Sequence, residues 1–406
     1  MPVSLGLISD NSNLYWKGVR YLHCHFTFIL MNRIFTLAFA LVLSLTLFGQ
    51  ESDSEPVMDF ERYDPISSLV VPEHPVTRAR FPFIDVHSHQ WNLTKDRIAK
   101  IVGEMDTLNM GIMVNLSGRG YDREAGDIGS QEYLAGMTSR IAGEAPGRIV
   151  VFTNVSFKEI GNPGWSEEAV RQLEEDVKNG AKGLKIYKSL GMGINDVNGN
   201  RVAIDDPRID PVWAKCGDLG IPVIIHAADP KPFWDDHDEK NERWLELKLR
   251  PGRKRSTTDP APWEQIIAEQ HHIFAKHPGT TFINAHMGWM ANDLQALGDH
   301  LDQYANVNVG IGAVIAELGR QPRAAKAFFE QYSDRILFAK DAYNPEEYYT
   351  YFRVLETADE YFPYYKKYHA FWRMYGLDLS DEVLKKVYYK NALRIIPGLD
   401  ASLFPK

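Results

Sequence analysis

Cysteine is almost missing from this chain, which has two in 406 residues, Cys24 and Cys216. A disulfide framework is therefore excluded, and the hydrophobic core has to hold the fold by itself. Positive charge is not in excess either. The 45 lysines and arginines are outnumbered by 54 acids, a formal net charge of −9, which argues against a nucleic-acid partner. No glycine-rich phosphate turn follows the first apolar strand, so an open dinucleotide-binding sheet lacks support. Long apolar runs are missing too. The longest, in "MNRIFTLAFALVLSLTLFGQ" from Met31, is about fifteen residues, too short for a comfortable membrane span.

That run has another meaning. A short basic start, an apolar stretch and a small residue at Gly49 make a secretory signal pattern. The expectation is a start-site extension at residues 1–30 and a signal peptide at 31–50. The mature chain would begin near Gln50, secreted or periplasmic, with no stable membrane span. Its removal takes Cys24 with it and leaves Cys216, in a predicted helix, as a core thiol. Residues 51–79, polar and punctuated by proline, read as an arm or linker, and residues 80–400 as one domain.

In that domain eight short apolar runs alternate with amphipathic segments: 83–89, 111–118, 148–157, 182–188, 221–227, 280–286, 307–312 and 335–341. Strands apolar throughout belong to a parallel sheet covered by helices. Eight such units predict a closed α/β architecture, the (β/α)8 or TIM barrel. Ser166 is expected to cap the helix that follows strand three, and Ser380 the closing helix. A long loop, 228–261, follows strand five and reads as a lid. Residues 344–379 read as extra C-terminal helices.

The strand ends carry unusual residues. "FPFIDVHSHQW" ends strand one in His87 and His89, spaced to share a face. Strand five ends in His226, strand six in His286 and strand eight in Asp341. The carboxyl ends of barrel strands share one mouth, so these side chains can converge. Four imidazoles and a carboxylate suit zinc, iron, manganese or nickel. His237, His271, His272, His277, His300 and His369 fall outside the pattern.

The order HxH, His, His, Asp over residues 80–400 resembles the amidohydrolase superfamily, and most closely its amidohydrolase-related branch of hydrolases, lactonases and decarboxylases. The resemblance implies a divalent metal, zinc by expectation, as one or two ions held by His87, His89, His226, His286 and Asp341. It also implies a metal-activated water, with Asp341 as general base and His226 as a second catalytic group. Lys185, in "GLKIYKSLG", resembles the strand-four lysine that becomes a bridging carbamate in binuclear members. Trp91, Tyr187, Lys188, Trp289 and Lys340 lie next to strand ends and are expected to touch substrate. Lys340 departs from the small residue that many members have there. The expected activity is hydrolysis of an ester, lactone or amide bond in a small molecule; the alternative is decarboxylation of a small carboxylic acid. Lys188, Lys340 and the basic run Arg250–Arg255 suggest an anionic substrate, and a homo-oligomer is compatible with these features.

Overall fold

The computed structural model describes residues 58–121 and 127–406. The expected signal peptide, 31–50, lies outside the described residues. The chain divides at Ile66/Ser67 into two compact units, and the second, Ser67–Lys406, holds every element named below.

Eight parallel strands run in chain order. They are β1 (Phe83–Ser88), β2 (Met110–Asn115), β3 (Ile149–Val151, resuming as Thr153–Asn154), β4 (Leu184–Ile186), β5 (Val223–Ile225), β6 (Phe282–Asn284), β7 (Val307–Gly310) and β8 (Ile336–Leu337). Regular pairing stops at two seams, and backbone hydrogen bonds cross both. At Phe152 the N–H donates to Asn115 O, while the next amide, of Thr153, donates to Gly183 O. Between the last strand and the first, Val86 N–H donates to Phe338 O and Asp341 N–H to His87 O, at 3.1 and 2.7 Å. The result is a (β/α)8 barrel whose closing seam lies at the histidine pair.

Sequence determines the helices that clothe it. Thr94 caps α1 (Lys95–Leu108), accepting from Arg97 N–H, and Asn109 ends it in the left-handed region at φ 69°. Ser130 caps α2 (Gln131–Glu144) in the same way. Ser166 does not cap α3 (Trp165–Lys178): the helix starts one residue earlier, after Gly164, and the hydroxyl donates to Arg208 O instead. Then come α4 (Asp210–Asp218), α5 (Trp244–Leu249), α6 (Trp263–Lys276), α7 (Leu294–Gln303), α8 (Ile315–Gly319), α9 (Pro322–Gln331) and α10 (Tyr348–Glu356). Cys216 is buried in α4.

The excursion after β5 is built rather than bare, since it contains α5 and two short 3-10 turns. Leu245, Glu246 and Leu247 are buried. Arg243 donates to Glu246 at 3.1 Å and to Glu317 of α8 at 2.8 Å, which ties the excursion to the barrel wall. After α10 the expected run of helices gives way to a hairpin, Phe362–Pro363 with Arg373–Met374. Ser380 does cap the closing helix, through Val383 N–H. That helix widens into a π turn at Lys386–Lys390, where Val387 O accepts from Phe338 N–H just past β8. A carbonyl released from the helical ladder thus satisfies an amide at the end of a barrel strand. No described helix is long and apolar enough to cross a membrane.

Candidate metal centre

His87 is the fifth residue of β1 and is 1% exposed. His89 follows the strand. Asp341 sits four residues beyond β8 at φ 83°, a left-handed conformation that costs a non-glycine residue roughly 1–2 kcal/mol. Its N–H bond to His87 O crosses the closing seam and sets its carboxylate before both imidazoles. Asp341 Oδ1 lies 3.4 Å from His87 Nε2 and 3.7 Å from His89 Nε2. Donor atoms of all three residues fall within 4.8 Å of one another, a set that could hold a metal ion.

Three of the four imidazoles, those of His89, His226 and His286, are oriented by ring-nitrogen contacts. His89 Nδ1 lies 2.9 Å from Ser117 Oγ, which lies 3.2 Å from Tyr187 Oη. Tyr187 Oη in turn donates to Leu116 O. A carbonyl can only accept, so the tyrosine proton is committed there, the serine donates to the tyrosine, and His89 donates from Nδ1. The lone pair of His89 Nε2 is left facing Asp341. His286 donates from Nδ1 to Gly312 O at 2.7 Å, and its Nε2 accepts from His226 Nδ1 at 3.2 Å. His226 Nε2 is then a buried lone pair with no partner, and both ring nitrogens of His87 are also buried without one.

Burial holds these rings neutral. It pushes His87 and His226 well below the ordinary imidazole pKa, with further repulsion from Lys185 and neighbouring rings. His89 is brought down to about 4, first by burial and then by Lys185. For Asp341 burial acts upward, but His286, His89, Lys185 and Lys340 outweigh it and keep the carboxyl below its ordinary value. Lys185, in the middle of β4 and 1% exposed, is lowered by burial to about 7, and its Nζ has no partner. Neutral imidazoles, an ionised carboxylate and orphaned buried lone pairs fit a divalent cation of borderline softness.

The other expected residues separate. Lys185, Tyr187 and Trp91 line one cavity of about 580 Å³, together with Tyr121, Phe157 and Lys158. His89 stacks between Trp91 and Tyr187, at ring distances of 6.2 and 5.7 Å. Trp289 stacks on His286 at 4.5 Å and donates its indole N–H to Ala227 O, so it braces the histidines. Lys188 turns to Asp229. Lys340 is not brought to the cavity: it is 2% exposed, and its ammonium donates to Ala342 O and Glu347 at 2.6 and 2.5 Å. Glu347 and Ala342 O hold the ammonium away from the cavity. His286, expected among the ligands, lies with Nδ1 2.7 Å from Gly312 O and Nε2 3.2 Å from His226 Nδ1. Sequence reading passed over Ser117 and Asp229. The strand-end rule could have found Ser117, which closes the run "GIMVNLSG".

A parallel barrel that gathers four imidazoles, a lysine and a carboxylate at the carboxyl ends of its strands is an enzyme scaffold with a metal-type cluster. The chain belongs to the amidohydrolase family, whose sequence model matches residues 84–398. No curated protein matches it. Solved structures that resemble it include an uncharacterised TIM-barrel protein from Bordetella bronchiseptica, 14% identical with a TM-score of 0.48 over 77% of this chain and 98% of that one. Another is 5-carboxyvanillate decarboxylase from Sphingomonas paucimobilis, 13% identical, TM-score 0.47, over 78% and 99%. A third is an amidohydrolase from Burkholderia multivorans with bound zinc, 12% identical, TM-score 0.43, over 78% and 100%.

Proposed function

We propose that the chain is a divalent-metal-dependent hydrolase of an ester, lactone or amide bond in a small molecule. The observation that supports this is the convergence of His87, His89 and Asp341 donor atoms within 4.8 Å, beside buried imidazole nitrogens without partners. His87, His89, His226 and Asp341 would hold the ion, with zinc the expected metal. Residues 80–400 form the catalytic domain, 51–79 an arm, and the leader at 31–50 directs export.

When bound, the ion supplies Lewis acidity, polarising a carbonyl and acidifying water. Asp341 carries the proton. Its ionised carboxylate, 36% exposed at the mouth, takes a proton from the attacking water and returns it to the leaving oxygen or nitrogen. His226, fixed through Nδ1 by His286, would present its one lone pair, on Nε2, to the ion. The Ser117–Tyr187 chain holds His89 in one tautomer, and Trp91 and Tyr187 wall the cavity against free rotation of the substrate.

Decarboxylation is a second reading on the same residues. It is favoured by the unpartnered Lys185 ammonium, a buried donor placed to hold a substrate carboxylate. Metal analysis of the purified chain, followed by a screen of lactones and carboxylated esters with product identification, separates the two. Carbon dioxide released without uptake of water identifies the lyase. A wild-type chain that retains no divalent ion would remove the metal reading altogether.

A further inference from the structure

A second cavity adjoins the one beside the cluster. Each has a volume of about 580 Å³, and they share a wall, since Trp91 and Tyr121 line both. Tyr133 lines the second alone. The shared wall is joined to the reaction centre by direct contact. Trp91 stacks on His89 at 6.2 Å, with an interplanar angle of 11°. The loop after β2 that carries Tyr121 starts with Ser117, the partner of His89 Nδ1.

Rings gather on this cavity. Among the described residues beyond 80, five aromatic side chains are exposed, Trp91, Tyr121, Tyr133, Tyr361 and Phe371, and three of the five line it. Exposed apolar groups on an ordinary surface are scattered singly; a cluster in a concavity is the pattern of a binding site. The rings are also held in place. Tyr133 lies in the first turn of α2, where Ser130 Oγ accepts from its N–H at 3.3 Å. Its hydroxyl accepts from Asn92 N–H at 3.4 Å, which links α2 to the loop after β1. Gly120, at φ 68°, turns the chain against the Tyr133 ring, and a Cβ there would come within 2.7 Å of it.

The polar side chains of the cavity are largely engaged with the protein. Arg119 donates from Nε to Gly129 O and from Nη1 to Gln172 Oε1, both at 3.0 Å, and lies 3.8 Å from the Asp176 carboxylate. Ser130 Oγ serves as the helix cap. A site walled by aromatic faces, with its arginine already paired, favours an uncharged planar group. A sugar ring would bring several hydroxyls to a place that leaves mainly Asn92 and the tyrosine hydroxyls to meet them.

We propose that this second cavity is a subsite for an uncharged aromatic ring, carried on the part of the substrate remote from the bond that reacts. This rests on the histidine–aspartate cluster being the reaction centre. The substrate then has two parts, a reacting bond beside Lys185 and Tyr187 and a ring beyond Trp91. Tyr133 becomes a specificity residue, since it lines only the second cavity.

The test uses the full chain and two sets of probes. On metal-free chain, benzyl alcohol, cyclohexylmethanol and methyl glucoside are titrated by ligand-detected NMR. Benzyl alcohol should bind about three- to tenfold more tightly than cyclohexylmethanol, and the glucoside most weakly. On zinc-loaded chain, phenylalkyl hydroxamic acids of increasing linker length are titrated by calorimetry against their cyclohexyl counterparts. The hydroxamate anchors one end at the cluster, and one linker length should show the same preference for phenyl. Tyr133→Ala should bring both ratios close to one with zinc content unchanged, while Tyr133→Phe keeps them. Should Tyr133→Ala fail to fold, Tyr121→Ala serves, at a residue 58% exposed. Equal binding of phenyl and cyclohexyl probes, tighter binding of the glucoside, or a preference untouched by the alanine variant overturns the proposal. Hydroxamates that fail to bind, beside benzyl alcohol that binds through Tyr133, would count against the metal reading and leave the ring site standing. Hydroxamates that bind with no gain at any linker length would leave the metal reading and refute the two-part substrate.

Discussion

At the scale of single residues, the roles within the cluster are separable. Asp341→Asn keeps the size of the side chain and one ligand oxygen but cannot accept a proton as a carboxylate does. Turnover should fall by roughly 10²–10⁴-fold while metal content stays near wild type; normal turnover would end the case for Asp341 as base. His87→Ala removes a buried ligand and should abolish metal retention, read by elemental analysis. Lys185 is the sharper case. Its amine, lowered to about 7 by burial, is largely neutral at mildly alkaline pH, the form that reacts with carbon dioxide to give a carbamate. If it bridges two ions, wild-type chain holds two equivalents, Lys185→Ala holds fewer, and short carboxylic acids restore the second. One equivalent in both leaves Lys185 to contact substrate or to stand behind the ligands. The convergence of His87, His89 and Asp341 was legible in the sequence because the carboxyl ends of barrel strands share one mouth. Asp229 was not, because an aspartate in a loop is common and only the fold shows what it faces.

At the scale of elements, the turn after β6 stands out. His286, Met287, Gly288 and Trp289 all have positive φ, between 52° and 63°. Four successive left-handed residues are costly and persist only where the surroundings enforce them. Here the His286–Gly312 bond, the Trp289–Ala227 bond and the stacking of Trp289 on His286 do so. Gly288 is the position with least room, because an added Cβ would collide with the Asn284 amide. Gly288→Ala should therefore destabilise the chain by about 2 kcal/mol or more and loosen metal binding through His286 and His226. An unchanged melting temperature and metal affinity would count against this account of the turn. Little in "FINAHMGWM" announces such a turn, since a lone glycine beside a histidine has many uses. The eight strands and the Ser380 cap were visible in apolar runs and capping chemistry. The π turn, the hairpin at 362–374 and the clamp on the excursion depend on contacts between residues far apart in the chain, which periodicity does not record.

At the scale of the whole molecule, buried neutral histidines set the response to acid. Away from the cluster, His271 and His300 pack at a ring distance of 4.1 Å. Burial lowers their pKa values to about 4 and about 3, with His271 repelling His300 further. The unfolded chain takes up protons near the ordinary value of 6.5, while the folded chain does not until pH 3–4. The unfolded state therefore binds more protons throughout that window, and stability falls as pH drops below 6.5, by up to about 1.4 kcal/mol per pH unit per histidine. Urea melts of metal-free chain between pH 8 and pH 5 should show this slope. His300→Phe should flatten it without abolishing it, because the rings of the cluster contribute in the same direction; an identical slope in wild type and variant would refute the assignment.

The closing seam bears on how the molecule comes into being. Asp85, which accepts from both the His87 and the Lys340 amides, lies 255 residues before Lys340. A ribosome adding about 5–20 residues per second needs roughly 13–50 s to cover that distance. During that time the histidine pair exists without the carboxylate that faces it. Chemical competence is thus postponed until the last strand has been made and has found the first. A chain cut short before residue 335 would contain all four histidines of the cluster and remain inert.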